Sequence, residues 1–333
     1  LDPFEVQLKH FYAVDKARSL SVSGEAQFST EDTGWSVALQ AILNSLNYGE
    51  LMHYWPEKFK APQRRWVDAN VAEAELSDFV YNLRYDPKNA LHTSLSFAFK
   101  EAKFSPIKNF PSVEGGRGTF SSFNRRLAIS LLGGTMNAPK YGAMNISGTD
   151  FIIANTKRKP SQAIVNLKVR GNLQNMLGLI NQKPLSVFAR NGKKIPPANG
   201  TLDFTAELAF PVKKNLSTDN FSYRAKGSIV DFQMPDTARI SSISAPVVAF
   251  SVNPDLLELK GDLQTMGVEL DGRFLYDMKK QTSRFVADFE IDRELINTLS
   301  LPVSEEIIKG SSVAKLSLDL PKDGISPIRF IRC

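Results

Sequence analysis

Apolar and polar residues alternate with period two along most of this chain. Thr201–Phe210 puts Leu202, Phe204, Ala206, Leu208 and Phe210 on one face, and Phe79–Tyr85 does the same with Phe79, Tyr81, Leu83 and Tyr85. Arg284–Ile291 offers Phe285, Ala287, Phe289 and Ile291, and Ala314–Leu320 offers Ala314, Leu316, Leu318 and Leu320. Leu257, Leu259 and Leu263 line up around Gly261. Such alternation predicts antiparallel strands that are covered or lined on one side only. Turn residues, among them Asp86-Pro87, Gly133-Gly134, Asn199-Gly200 and Asp271-Gly272, break the chain at strand-length intervals. Gly115–Gly118 reads as a flexible turn before a strand at Thr119–Phe123, and Asp231, Asp236 and Asp271 read as solvated carboxylates at strand ends.

Helical signals are few and short. Asn47–Trp55 reads as a helix ended by Pro56, and Pro62–Asn70 as a second with proline in its first turn. Asn172–Asn181 carries Leu173, Met176, Leu177 and Ile180 on one stripe, and Asp292–Leu299 opens with an acidic cap. These helices lie in similar surroundings. The order strand, helix, polar loop, alternating strand and proline closes at Pro87, Pro211 and Pro321. Gly116–Met136 also resembles Ala245–Met266. We read a diverged repeat of about 110–130 residues. The expected division is a strand region at 1–24, one unit at 25–150, a second at 151–283 and the start of a third at 284–333.

Repeats that stack strand on strand, at about 4.8 Å per strand, predict an elongated, twisted antiparallel sheet in a mainly β chain with a few short helices. Its apolar face must close into a barrel, pack on a second sheet, or curl into a trough for an apolar ligand.

Composition narrows the function classes. The 333 residues include 41 Lys+Arg against 35 Asp+Glu, a net charge of +6, with 42% hydrophobic residues. No apolar run approaches the ~20 residues of a membrane-spanning helix. The basic residues form scattered pairs, such as Arg125-Arg126 and Lys279-Lys280, plus the triplet Lys157–Lys159. They make no long tract or nucleic-acid module, and no nucleic-acid partner is expected. The one cysteine, Cys333, gives no internal disulfide or thiolate metal site. Cysteine avoidance leans towards an exported protein. A chain starting at Leu1 rather than Met reads as a fragment. His10, His53 and His92 are far apart, and no nucleophile elbow, Walker loop or metal motif is present. Neither catalysis, a cofactor nor a metal is expected. Phenylalanine is abundant, 22 against 8 Tyr and 3 Trp, which suits dry packing or acyl-chain lining.

One segment is more specific. Trp55-Pro56, a short basic helix, Arg65-Trp66-Val67-Asp68-Ala69-Asn70 and then an alternating strand resemble the AsmA-like/YhdP-like family of bacterial envelope proteins. Phe97–Pro106 (FAFKEAKFSP) and Gly227–Asp236 (GSIVDFQMPD) agree, and the resemblance covers roughly residues 20–320. The chain departs from the family at Ala72–Glu75, where a glycine usually follows the Asn. The resemblance implies a relationship to bridge-like lipid-transfer proteins with chorein-type repeats: an anchor in the inner membrane, a periplasmic β-rich body, and a U-shaped apolar groove that conducts phospholipids towards the outer membrane. Outer-membrane or periplasmic proteins would be further partners. The lining candidates are Phe79, Tyr81, Leu83, Leu202, Phe204, Leu208, Phe210, Phe285, Phe289, Leu316 and Leu318. Alternation alone leaves open which face is the groove. A rigid β-repeat scaffold for envelope assembly is the competing expectation. A glycan-binding surface using Trp55 and Trp66 is a third, disfavoured because short helices beside proline suit packing.

Overall fold

The computed structural model describes residues 4–17, 20–31, 34–88, 90–106, 110–138, 142–183, 185–213, 220–236, 241–298, 310–320 and 329–331. Within them the chain is mainly β: eighteen strands in one antiparallel sheet, with a few short helices. Contacts divide it into two compact units, Leu1–Leu167 with Ala209–Phe221, and Lys168–Leu208 with Ser222–Cys333.

Unit 1 is a meander. β1 (Glu5–Asp15), β2 (Leu20–Glu31), β3 (Gly34–Asn47), β4 (Val71–Asp86), β5 (Ala90–Phe104), β6 (Val113–Phe123) and β7 (Arg126–Ala138) each pair antiparallel with the next. β7 then pairs with both short strands β8 (Gly142–Asn145) and β9 (Thr149–Ile153), and β9 pairs with the first half of β10 (Ser161–Asn172). In unit 2 the end of β10 is followed by β11 (Asn199–Val212), whose residues from Ala209 on belong to unit 1, and then by β12 (Ser222–Met234), β13 (Ile243–Val252), β14 (Leu256–Thr265), β15 (Val268–Asp277), β16 (Thr282–Ile291), β17 (Ser312–Leu320) and β18 (Arg329–Ile331). From β12 to β18 each strand again pairs antiparallel with its successor.

The helices sit in the connections, at strand ends. α1 (Tyr48–Tyr54) and α2 (Ala61–Asn70) join β3 to β4, α3 (Leu173–Ile180) joins β10 to β11, and α4 (Arg293–Thr298) joins β16 to β17. Each of these three connections starts on an Asx cap. Asn47 Oδ1 accepts from Glu50 N–H at 3.0 Å while the Glu50 carboxylate accepts from Asn47 N–H at 2.8 Å, a capping box. Asn172 Oδ1 accepts from Gln174 and Asn175 N–H, and Asp292 Oδ1 from Leu295 N–H at 2.8 Å. The orphan amides of each helix start are thus satisfied by the last residue of, or the first residue after, the preceding strand. Replacing Asn172 by Ala is expected to cost about 1 kcal/mol, read as a lower urea midpoint with an unchanged slope.

Beside α1 lies a packed core of unit 1. Leu20, Leu46, Ala74, Leu76, Phe79 and Ala102 are buried there, with Leu51, Tyr48 and Phe97 packed against them. Leu76 and Phe79 both reach this core although three residues apart. Between them Asp78 adopts φ +55°, and the β4–β5 register shifts between Ser77 and Val80. This β-bulge changes the phase of the alternation.

Three sequence expectations need correction. Gly133-Gly134 and Asp271-Gly272 are not turns but lie inside β7 and β15. Gly115–Gly118 is not a turn before the strand but lies inside β6, where the register against β7 shifts around Arg117 and Gly115 takes φ +58°. Asp231 and Asp271 are also inside strands rather than at their ends. Asp231 adopts φ +53° inside β12 while the register against β13 stays unbroken, and Asp271 pairs opposite Asp262. The end of the expected helix at Leu299 and the Pro321 segment fall outside the described residues.

Candidate functional site: the apolar sheet faces

Cross-strand register turns the alternation into rows of side chains. In unit 1, Gly24, Ala41, Tyr81, Leu95, Ser122, Leu127, Ile153 and Ala163 stand opposite one another across β2–β7, β9 and β10. A parallel row runs Phe97, Phe120, Ile129, Phe151 and Val165. Phe97 stacks between Phe79 and Phe120, with ring centroids 4.8 and 4.7 Å away. These rings are close enough to exclude water between them. Burial on this face pushes the Tyr81 phenol above its ordinary pKa.

Unit 2 repeats the device. Gly227, Phe250, Leu259, Phe274, Phe285 and Leu318 form one row across six strands. Ile229, Val248, Gly261, Gly272, Ala287 and Leu316 form the next. Two glycines stand where a strand carbonyl and a phenylalanine leave no room for a side chain. A Cβ on Gly227 would come within 2.4 Å of Phe204 Cβ, and one on Gly24 within 2.7 Å of the Phe11 ring.

The opposite faces are polar. In unit 1, Gln40 Nε2 donates to Asn82 Oδ1 and Asn82 Nδ2 to Ser94 Oγ, both at 3.0 Å, a ladder across three strands. A shallow depression of about 520 Å³ lies on this polar side, walled by Gln7, Glu25, Gln40, Asn82, Arg84 and His92. In unit 2 the corresponding face carries cross-strand ion pairs: Arg273–Glu258 at 2.6 Å, Arg284–Asp319 at 2.6 Å, Lys315–Asp288 at 3.6 Å, and Arg170–Asp203. They lie at the surface, where water and salt screen such pairs and each contributes little. Together they mark this side as the one that faces water.

The structure thus places the lining candidates by accessibility. Phe79, Leu202 and Phe204 are buried, at 5%, 4% and 6% exposure, and serve as packing. Tyr81, Leu83, Leu208, Phe210, Phe285, Phe289, Leu316 and Leu318 are half-buried. Phe285, Leu316 and Leu318 belong to the two rows of unit 2, and Tyr81 to the first row of unit 1. Phe210 lies in unit 1, its ring 5.0 Å from Phe221. Sequence reasoning missed Phe97, Phe120, Phe151, Phe250 and Phe274, which the register puts in the same rows. Their signal was present for Phe97, in the alternation of Leu95, Phe97 and Phe99, but Phe274 is hidden in the unbroken run Phe274-Leu275-Tyr276.

The tryptophans of α1 and α2 do different work. Trp55 Nε1 donates to the Phe59 carbonyl at 2.7 Å, and the Arg64 guanidinium donates to the carbonyls of Trp55 and Met52 at 2.9 and 3.1 Å, closing the end of α1. Trp66 is 45% exposed. Among the described residues no three His, Cys, Asp or Glu groups converge to hold a metal ion, and no helix is long and apolar enough to cross a membrane. The chain matches no family model, and neither the curated proteins nor the solved structures contain a match.

Proposed function

We propose that this chain holds phospholipid acyl chains on its apolar sheet faces, without catalysis, and passes them between the inner and outer membranes of a bacterial envelope. The AsmA-like resemblance, including an inner-membrane anchor and a periplasmic location, is part of this reading. The observation that carries it is the row Phe250, Leu259, Phe274, Phe285 and Leu318. All five are half-buried, and all stand on one face of one sheet. The core of a β-sandwich would bury such a row completely against a second sheet. A hydrocarbon chain laid along it needs no hydrogen-bond donor, and each CH₂ removed from water contributes about 0.8 kcal/mol. The charged opposite face keeps that side in water.

Native mass spectrometry of the purified chain, followed by solvent extraction, tests the reading. Co-purifying phospholipid is the expected result. A lipid-free chain that takes up none from added micelles would instead favour the rigid scaffold.

A further inference from the structure

The strand ends of unit 1 opposite α1 and α2 carry a second surface. There the β6–β7 hairpin turns through Asn124 and Arg125, and the segment between β9 and β10 contains Lys157, Arg158 and Lys159. The two turns touch, the Thr156 N–H donating to the Arg125 carbonyl at 2.8 Å. They bring Arg125, Arg126, Lys157, Arg158 and Lys159 to one corner, although thirty residues of chain separate the two groups. All five are exposed, none is ion-paired with a carboxylate among the described residues, and neither turn contains an acidic residue. Arg125 also sits at φ +71°. This left-handed position of a two-residue hairpin favours glycine, so an arginine is held there against local preference.

Large apolar side chains flank these cations along the same rim. Phe4, Trp35, Tyr85, Leu91 and Phe123 are 58%, 52%, 41%, 58% and 62% exposed. Phe4 and Trp35 meet edge to face at 6.4 Å. Tyr85 and Leu91 form a register pair at the outer end of the apolar rows, two residues beyond Leu83 and Thr93. The apolar face therefore reaches this rim at Tyr85 and Leu91, whereas Phe123, opposite Ser94, stands on the polar face.

We propose that this rim is a docking surface for an anionic bilayer, from which lipid gains the apolar face of unit 1. Aromatic rings and leucine beside unpaired Lys and Arg match the level of a membrane interface, where rings enter the headgroup region and cations meet phosphates. A soluble polyanion would satisfy the cations but leave Leu91 and Phe123 in water. The continuity of the apolar rows with the rim favours the membrane. Uptake of lipid at this rim rests on the acyl-holding reading, whereas docking to the bilayer does not.

The test is co-sedimentation of the full chain with phosphatidylcholine vesicles, with and without phosphatidylglycerol. Binding is expected only with phosphatidylglycerol and should weaken as salt rises. At about fivefold per cation removed, a variant with Arg125, Arg126, Lys157 and Lys159 all changed to Gln should lose several hundredfold in partitioning. Changing Lys279 and Lys280 to Gln, whose charges already meet Asp255 and Asp277 in unit 2, should have little effect. Trp35→Ser with Phe123→Ser should weaken binding without altering its salt dependence. Equal binding to neutral vesicles, parental binding by the four-Gln variant, or retention on heparin with no vesicle binding would each overturn the proposal. The rim variants should keep their co-purifying lipid, and apolar-face variants should keep vesicle binding, so the two ideas fail separately.

Discussion

Changing Phe274 and Leu318 together to Asp is expected to strip bound phospholipid from the chain while leaving its β-sheet circular dichroism intact. Both residues belong to the half-buried row of unit 2. Each removes a side chain that would otherwise shield acyl carbons, worth about 1.5–3 kcal/mol when fully covered, so the pair should lower lipid retention by about tenfold or more. A carboxylate at such a position keeps access to water and need not unfold the sheet. Ala287 is the informative contrast. It lies in the neighbouring row at 0% exposure, and Ala287→Asp would bury a charge with no partner. That variant should unfold or fail to accumulate. If the apolar face were the core of a scaffold, the Phe274/Leu318 double variant would unfold as Ala287→Asp does. The measurement is therefore paired: lipid by mass spectrometry, folding by circular dichroism.

The second large effect concerns Gly227. A Cβ there would stand 2.3 Å from the Asp203 carbonyl oxygen as well as 2.4 Å from Phe204 Cβ. Gly227→Val should therefore force β11 and β12 apart and destabilise the chain by about 3 kcal/mol, at the severe end of point substitutions. Trimming the ring in Gly227→Val/Phe204→Ala should not restore stability, because the Asp203 oxygen and the Phe204 Cβ, which alanine keeps, remain in the way. Recovery of the parental urea midpoint in the double variant would show that only the ring is responsible. The reason for the glycine would then be aromatic packing rather than strand approach.

Much of the architecture could be read from residue types, because alternation and capping are local signals. The four helices begin where an Asx side chain or an early-turn proline precedes apolar spacing, and the structure places them within a residue or two of those positions. Strands such as β11, β16 and β17 follow the alternation nearly to their ends. What could not be read depends on non-local pairing. The bulge at Asp78 shifts the phase within β4, and nothing in Asp78 or Asp231 announces a positive φ. The glycines at 116 and 118 imitate a turn because their role, admitting a ring or a neighbouring strand, lies across the sheet, while Gly115 has open space around it and a positive φ. Gly118 shows this directly, with Phe99 and the Ser130 carbonyl occupying the space its Cβ would need. The eleven lining candidates share the alternating signal, yet only the folded environment separates buried Phe79, Leu202 and Phe204 from the accessible rest. The basic rim was legible as pairs of charges but not as one corner, since its two turns meet only through the β7–β9 pairing.

The plain meander has a consequence for how such a chain can change over generations. From β1 to β7, and again from β12 to β18, every strand finds its partner in the next stretch of sequence. Duplicating or deleting one hairpin leaves the direction and inward phase of all later strands unchanged, because two strands restore both. Gene-level slippage can therefore lengthen or shorten the sheet in steps of about 9.6 Å, twice the strand spacing, without redesigning any existing contact. A change of a single strand would reverse everything downstream. Sheet length in this architecture is an inheritable, ratchet-like variable, and selection can tune it independently of the surface it carries.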